Sequence, residues 1–274
     1  MSTEPVAGEV GVSRPGPGPL ETHLRQRRAG GAKLLVPYVT GGLGPRWTEV
    51  LEAMVAAGAD AVEVGIPFSD PVMDGPTIQE ASQRALELGA TPTAILDALP
   101  AVHAGVPLVA MTYYNIVYRG GHRRFAHALA SNGVAGAIIP DVPLEELDPW
   151  ARAGASEGVE TVLLASPVTP DDRLAAICAR SQGFVYGVSV MGITGERQSL
   201  ATSAGIMAKR LKAHTDKPVL IGFGVSTPAH AVEACAEADG VIVASALMRR
   251  LVDGAGPDEI GDLVADLRAA LDAG

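Results

Sequence analysis

The chain has 274 residues, 47% hydrophobic, 19% charged and only 4% aromatic, and 21 Lys+Arg against 31 Asp+Glu give a formal net charge of −10. That much aliphatic material supplies a sizeable core and excludes a disordered chain, while an acidic excess without a basic stripe argues against nucleic acid or an anionic membrane as the main partner. The sequence contains neither an 18-residue apolar stretch nor a signal-type apolar segment, so a cytoplasmic protein is expected.

Residues 1 to 19 read as a disordered Pro/Gly-rich tail, and residues 20 to 274 as one domain that starts near LETHLRQRRAGG. From there one unit repeats, a short aliphatic run followed by a longer amphipathic Ala/Leu/Glu segment. The strand-like runs are KLLVPYV (33–39), DAVEVG (60–65), PLVAMT (107–112), VAGAIIP (134–140), ETVLLAS (160–166), GFVYGVS (183–189), PVLIGFG (218–224) and GVIVAS (240–245). Helical patterns such as RWTEVLEAMVAAGA, PDDRLAAICARS and EIGDLVADLRAALDAG lie between and after them. Strand then helix, repeated, means parallel strands joined by right-handed crossovers. Eight units with no inserted domain predict an α/β fold of the closed (β/α)8, or TIM barrel, type. VTGGLGP after the first strand lacks dinucleotide-binding spacing. Cys178 and Cys235, far apart in Ala-rich helical segments, read as buried apolar residues of a reducing compartment.

In such a barrel, polar residues at the C-terminal strand ends and in the following loops are the functional candidates. Glu63 sits inside the apolar strand DAVEVG, where period 2 puts Ala61, Glu63 and Gly65 on one face and Val62 and Val64 on the other. The valines suit the helix layer, so Glu63 is expected to point into the barrel, desolvated and able to exchange protons near neutral pH. The alternative is a buried structural ion pair. Asp70 and Asp74 follow in IPFSDPVMDGPT, eleven residues taking the chain from Glu63 to Asp74. Two carboxylates in one mouth can divide acid and base roles, although Asp74 could equally cap the helix that opens near Pro76. The sixth unit places Tyr186 in its strand and VMGITGER in a loop of lid type or a rigid surface loop. Gly222 and Gly224 end the seventh strand, and Ser245 leads from the eighth into a helix. Backbone N–H groups there form the phosphate cradle recurrent in these barrels, or the glycines serve close packing. The histidines fall on the outer ring (His103, His122, His127, His214, His230) or ahead of the barrel (His23), and metal spacing, a serine nucleophile elbow and a Walker A loop are absent from the sequence.

Together these segments resemble the α-subunit family of tryptophan synthase from about residue 20 to the C-terminus. VEVGIPFSDPVMDGPTIQ carries the resemblance most specifically, supported by VPYVT, MTYYNIVY, IPDVPLEE, YGVSVMGITG and GFGVS. The resemblance implies retro-aldol cleavage of indole-3-glycerol phosphate to indole and glyceraldehyde 3-phosphate. It implies that Glu63 transfers the proton and Asp74 binds the indole N–H, both catalytic. Tyr186 would lie beside the reacting centre, Thr194 would meet Asp74 as the sixth loop closes, and Tyr38 and Tyr113 would line the indole pocket with the strand aliphatics. Gly195, Gly224, Ala244 and Ser245 would hold the phosphate. Two departures stand out: TGGLGP replaces a shorter A-G-D-P-like turn, and Ala244-Ser245 replaces the usual Gly-Ser, adding a methyl near the phosphate. The resemblance also implies a partner, the pyridoxal-phosphate-dependent β subunit, in an α2β2 heterotetramer that passes indole through a tunnel, with Asp70 and Pro71 near the contact. No cofactor and no metal are expected in this chain. A stand-alone lyase releasing free indole, or a subunit that chiefly binds and activates its partner, are the alternatives. A Schiff-base aldolase is disfavoured because no strand ends in a lysine.

Overall fold

The computed structural model describes residues 16–188, 200–222 and 224–274. Eight parallel strands close into a barrel in chain order: β1 (Leu34–Thr40), β2 (Val62–Gly65), β3 (Leu108–Met111), β4 (Val134–Ile138), β5 (Glu160–Ala165), β6 (Val185–Val188), β7 (Val219–Gly222) and β8 (Gly240–Val243). Ring closure is made by β8 against β1, Leu34 pairing with Gly240 and Pro37 with Val243. The expected (β/α)8 architecture is present; β1 is shifted one residue along its apolar run, and the other seven strands are one to three residues shorter than theirs.

Around the barrel run α1 (Pro19–Ala29), α2 (Trp47–Ala56), α3 (Pro76–Glu87), α4 (Pro92–Ala98), α5 (Tyr114–Gly120), α6 (His122–Ser131), α7 (Asp148–Glu157), α8 (Asp171–Arg180), α9 (Leu200–Lys212), α10 (Pro228–Ala234), α11 (Ser245–Val252) and α12 (Pro257–Ala273). Proline stands at the first or second position of six of these helices, where its missing N–H costs nothing. Two differ from the sequence reading. Pro19, assigned to the tail, is the first residue of α1. The segment Tyr114–Gly120 forms α5, which its β-type residues Tyr114, Ile116, Val117 and Tyr118 did not announce; Asp141 accepts the Tyr114 N–H at 2.8 Å and anchors its start.

Period 2 sorts each strand into two layers. Leu34, Val36, Ala61, Val109, Val162, Phe184 and Leu220 fill the interior, plugged from below by Leu20 and Leu24 of α1. Leu35, Val62, Val64 and Ala110 face outward to the helix layer, with Trp150, Leu211 and Leu267. Cys178 and Cys235 are free and buried there.

Charge is concentrated at the bottom of the barrel. Asp60 accepts the Leu35 N–H at 2.8 Å and pairs with Arg27 and Arg268. Asp239 accepts the Val219 N–H at 2.9 Å and pairs with Arg28 and Lys212. Glu160 accepts the N–H groups of Leu20 at 2.6 Å and Glu21 at 3.1 Å, so a β5 carboxylate caps α1 across the barrel floor. Gly18 permits that approach, since a Cβ there would lie 2.5 Å from the Glu160 carboxyl carbon. The top of the barrel is left for chemistry.

Candidate active site

Glu63 lies in the middle of β2, paired with Tyr38 of β1 and Val109 of β3. Its side chain is 1% exposed, and its Oε2 has no hydrogen-bond partner. Among the described residues no cation pairs with it, so the ion-pair alternative is not what the structure contains. Burial, and then the charge of Asp74, push its pKa from 4.5 up to about 8. A group of that kind is mostly protonated at neutral pH yet can give and retake a proton.

Asp74 ends the loop from β2 to α3. Gly75, not Asp74, is the N-cap of α3, and no side chain caps that helix. The carboxylate is therefore not spent on the helix and lies in the cavity wall with Glu63. Burial raises its pKa, and a hydrogen bond from the Tyr113 hydroxyl opposes that rise. Gln79 donates its Nε2 hydrogen to the Asp74 carbonyl at 2.8 Å, tying the residue to the first turn of α3.

Tyr38 of β1 and Tyr186 of β6 enter the barrel, each over a glycine of the next strand. A Cβ on Gly65 would sit 1.9 Å from the Tyr38 hydroxyl, and one on Gly222 would sit 2.3 Å from the Tyr186 ring. In both cases the glycine is two residues beyond the tyrosine's register partner, Glu63 or Leu220, so each ring leans toward the mouth. Burial and the nearby carboxylates push both phenols upward, and they stay neutral donors.

These side chains surround a cavity of about 270 Å³. Tyr38, Glu63, Asp74 and Tyr186 line it, with Met111, Leu164 and Ile242 as apolar wall and Gly224, Ala244 and Ser245 at its far end. An apolar slot with two carboxylates suits a flat ring carrying an N–H. At the far end Gly224 has φ +78°, which glycine adopts without strain, and α11 starts at Ser245 with no side-chain cap. Its leading N–H groups are open to an anion, and among the described residues no Lys or Arg lines the cavity.

Of the residues singled out from sequence, the structure brings Glu63, Asp74, Tyr38, Tyr186, Gly224, Ala244 and Ser245 into this one cavity. Tyr113 is not in its wall. It stands behind the second loop, where its hydroxyl accepts the Met73 N–H at 3.0 Å and its ring stacks on Phe68 at 5.2 Å. Thr194 and Gly195, with the sixth loop, lie outside the described residues. Met73, Ile78, Val225, Ser226 and Ala246 also line the cavity without having been singled out; Ser226 was within reach, as the last residue of GFGVS.

A closed β/α barrel with a buried, neutral glutamic acid and a second carboxylate in one apolar cavity, beside an uncapped helix start, is the framework of a barrel enzyme acting on a small molecule. Residues 24–268 match the family described as Tryptophan synthase alpha chain. The chain is 40% identical to the tryptophan synthase alpha chain of Thermobifida fusca (strain YX) over 93% of its own length and 97% of that relative, and 43% identical to that of Picosynechococcus sp. over 84% and 89%. Its structure superposes on Mycobacterium tuberculosis tryptophan synthase with a TM-score of 0.86 at 37% identity (94% of this chain, 100% of that one), and on the alpha subunit from Legionella pneumophila str. Paris with 0.85 at 29% (93% and 99%). The chain belongs to the tryptophan synthase alpha chain family, lyases that cleave indole-3-glycerol phosphate in tryptophan biosynthesis.

Proposed function

We propose that Glu63 performs both proton transfers of the cleavage while Asp74 carries the compensating charge. The supporting observation is the burial of Glu63 without a cation partner, which keeps its proton on at neutral pH. Glu63 delivers that proton to indole C3, and the ring becomes a cation whose N–H turns acidic. Ionised Asp74 accepts that N–H and stabilises the cation. The Glu63 carboxylate then takes the proton of the hydroxyl on the carbon bonded to C3. The oxygen pair forms the aldehyde C=O, the C–C pair returns to the ring, and indole and glyceraldehyde 3-phosphate leave with Glu63 protonated as it began. Of two neighbouring carboxylates the more buried keeps the proton, which gives them their distinct roles.

Tyr186 and Tyr38 pack beside the ring. Gly224, the Ala244 turn and Ser245 hold the phosphate through backbone N–H groups and one hydroxyl, with Gly195 adding another donor and Thr194 meeting Asp74 from the sixth loop, as the family resemblance implies. The Tyr113 role becomes indirect, bracing the loop that carries Asp74.

The partner is the pyridoxal-phosphate-dependent β subunit in an α2β2 complex, and this chain's steps use its own side chains alone. Support comes from the mouth of the barrel, where Val72 is 75% exposed beside Pro71 and Asp70, an apolar contact surface next to the site. No helix of the described residues is long and apolar enough to cross a membrane, in keeping with a cytoplasmic setting. Indole release is the test, assayed on the pure chain with and without a β subunit. Turnover that rises on mixing and vanishes in Glu63→Gln supports the proposal, whereas full turnover in Glu63→Gln overturns it.

A further inference from the structure

We infer that Glu80 is a positioning residue that couples the carboxylate end of the cavity to its phosphate end. The inference rests on the roles given above to Asp74 and Ser245. Both α3 and α11 begin in the cavity wall, α3 with Gly75 and Ile78 and α11 with Ser245 and Ala246. The two helices pack directly on each other. Glu80 joins them: one carboxylate oxygen meets Arg249 of α11 at 2.9 Å and the other meets Arg84 of its own helix at 2.6 Å. Arg84 in turn donates to the Val252 carbonyl, at the end of α11, at 2.6 Å. One carboxylate and its arginine thus fasten α3 to α11 at two levels. At the top of α3, the Gln79 bond to the Asp74 carbonyl carries that fastening to the site.

The pairs are 38% to 47% exposed, and such pairs add little to folding stability. What they fix is the slide of one helix along the other. Arg249, then Arg84, hold the Glu80 carboxyl below the usual carboxylate range, so it stays ionised at working pH. An anion seated on the first turn of α11 therefore constrains α3 and, through it, Asp74. Binding at either end favours binding at the other by the same factor.

The test uses the full chain and two probes, indole for the Asp74 end and glycerol 3-phosphate for the α11 end, with affinities read by calorimetry. In the wild type, saturating glycerol 3-phosphate tightens indole binding by about fivefold or more. Glu80→Ala and Arg249→Ala each bring that factor close to one, with the separate affinities and the melting temperature nearly unchanged, and the double variant does no worse than either single one. Coupling that survives Glu80→Ala, or a wild type without coupling, overturns the inference. If glycerol 3-phosphate fails to bind, or Asp74→Asn leaves indole affinity unaltered, the reading of the site falls and takes this inference with it.

Discussion

Replacing Glu63 by Gln removes a proton that the folded protein holds and the unfolded chain releases. The folded pKa is raised from 4.5 to about 8, so the stabilisation from burying the neutral acid is fully present below pH 4.5 and is lost as pH rises through 8. Each pH unit in that window costs about 1.4 kcal/mol, roughly 5 kcal/mol across the whole of it. Glutamine has the same shape and nothing to ionise, so the variant does not pay this cost. Its advantage over the wild type should grow from pH 4.5 to a plateau above 8, worth on the order of 10 °C in melting temperature for a domain of this size. Calorimetric melts of both proteins, taken in half-unit steps from about pH 5 to 9, read the difference directly. A difference constant with pH would refute the reasoning, because it would mean that Glu63 is already ionised in the native state. The same titration should appear in catalysis as a fall in wild-type kcat/KM above about pH 8.

Three further outcomes are expected. Asp74→Asn should lower the rate of indole release by about 10² to 10³-fold with little change in melting temperature, since it removes the negative charge that stabilises the cationic ring but no cap from α3. Gly65→Ala should drive the Tyr38 ring out of the slot and destabilise the fold by about 1–3 kcal/mol, and adding Tyr38→Ala should restore much of that stability, as read by chemical denaturation. Glu160→Ala should cost about 1–2 kcal/mol through the two lost N–H contacts of α1, yet leave kcat unchanged, because that carboxylate lies at the opposite end of the barrel from the cavity.

How much of the site could be read from sequence depended on whether a residue's role followed from local periodicity. A carboxylate flanked by Val62 and Val64 can face the interior or the helix layer, and the valines decide which. Asp74 was different. Asp-Gly-Pro before a helix reads equally as a cap or as a free carboxylate, and the choice was made by Gly75 taking the N-cap position and by loop closure over the mouth. Three tyrosines lie in or directly after strand-like runs. Tyr38 and Tyr186 reach the cavity because Gly65 and Gly222 leave room for their rings, while Tyr113, two residues past its strand, turns back against the second loop. The α5 turn escaped because its residues favour strands locally, and tertiary contacts overrode that preference.

The sequence by itself determined the eight-fold strand and helix alternation, the inward direction of Glu63 and the family, because each is written in spacing along the chain. Only the tertiary structure decided that Glu63 has no cation partner among the described residues, that Asp74 stands with it in one cavity, and that α3 and α11 are fastened together by Glu80. Those facts depend on groups 11 to 169 positions apart meeting. Desolvation and pairing are set by what closes around a side chain, and barrel closure settles that.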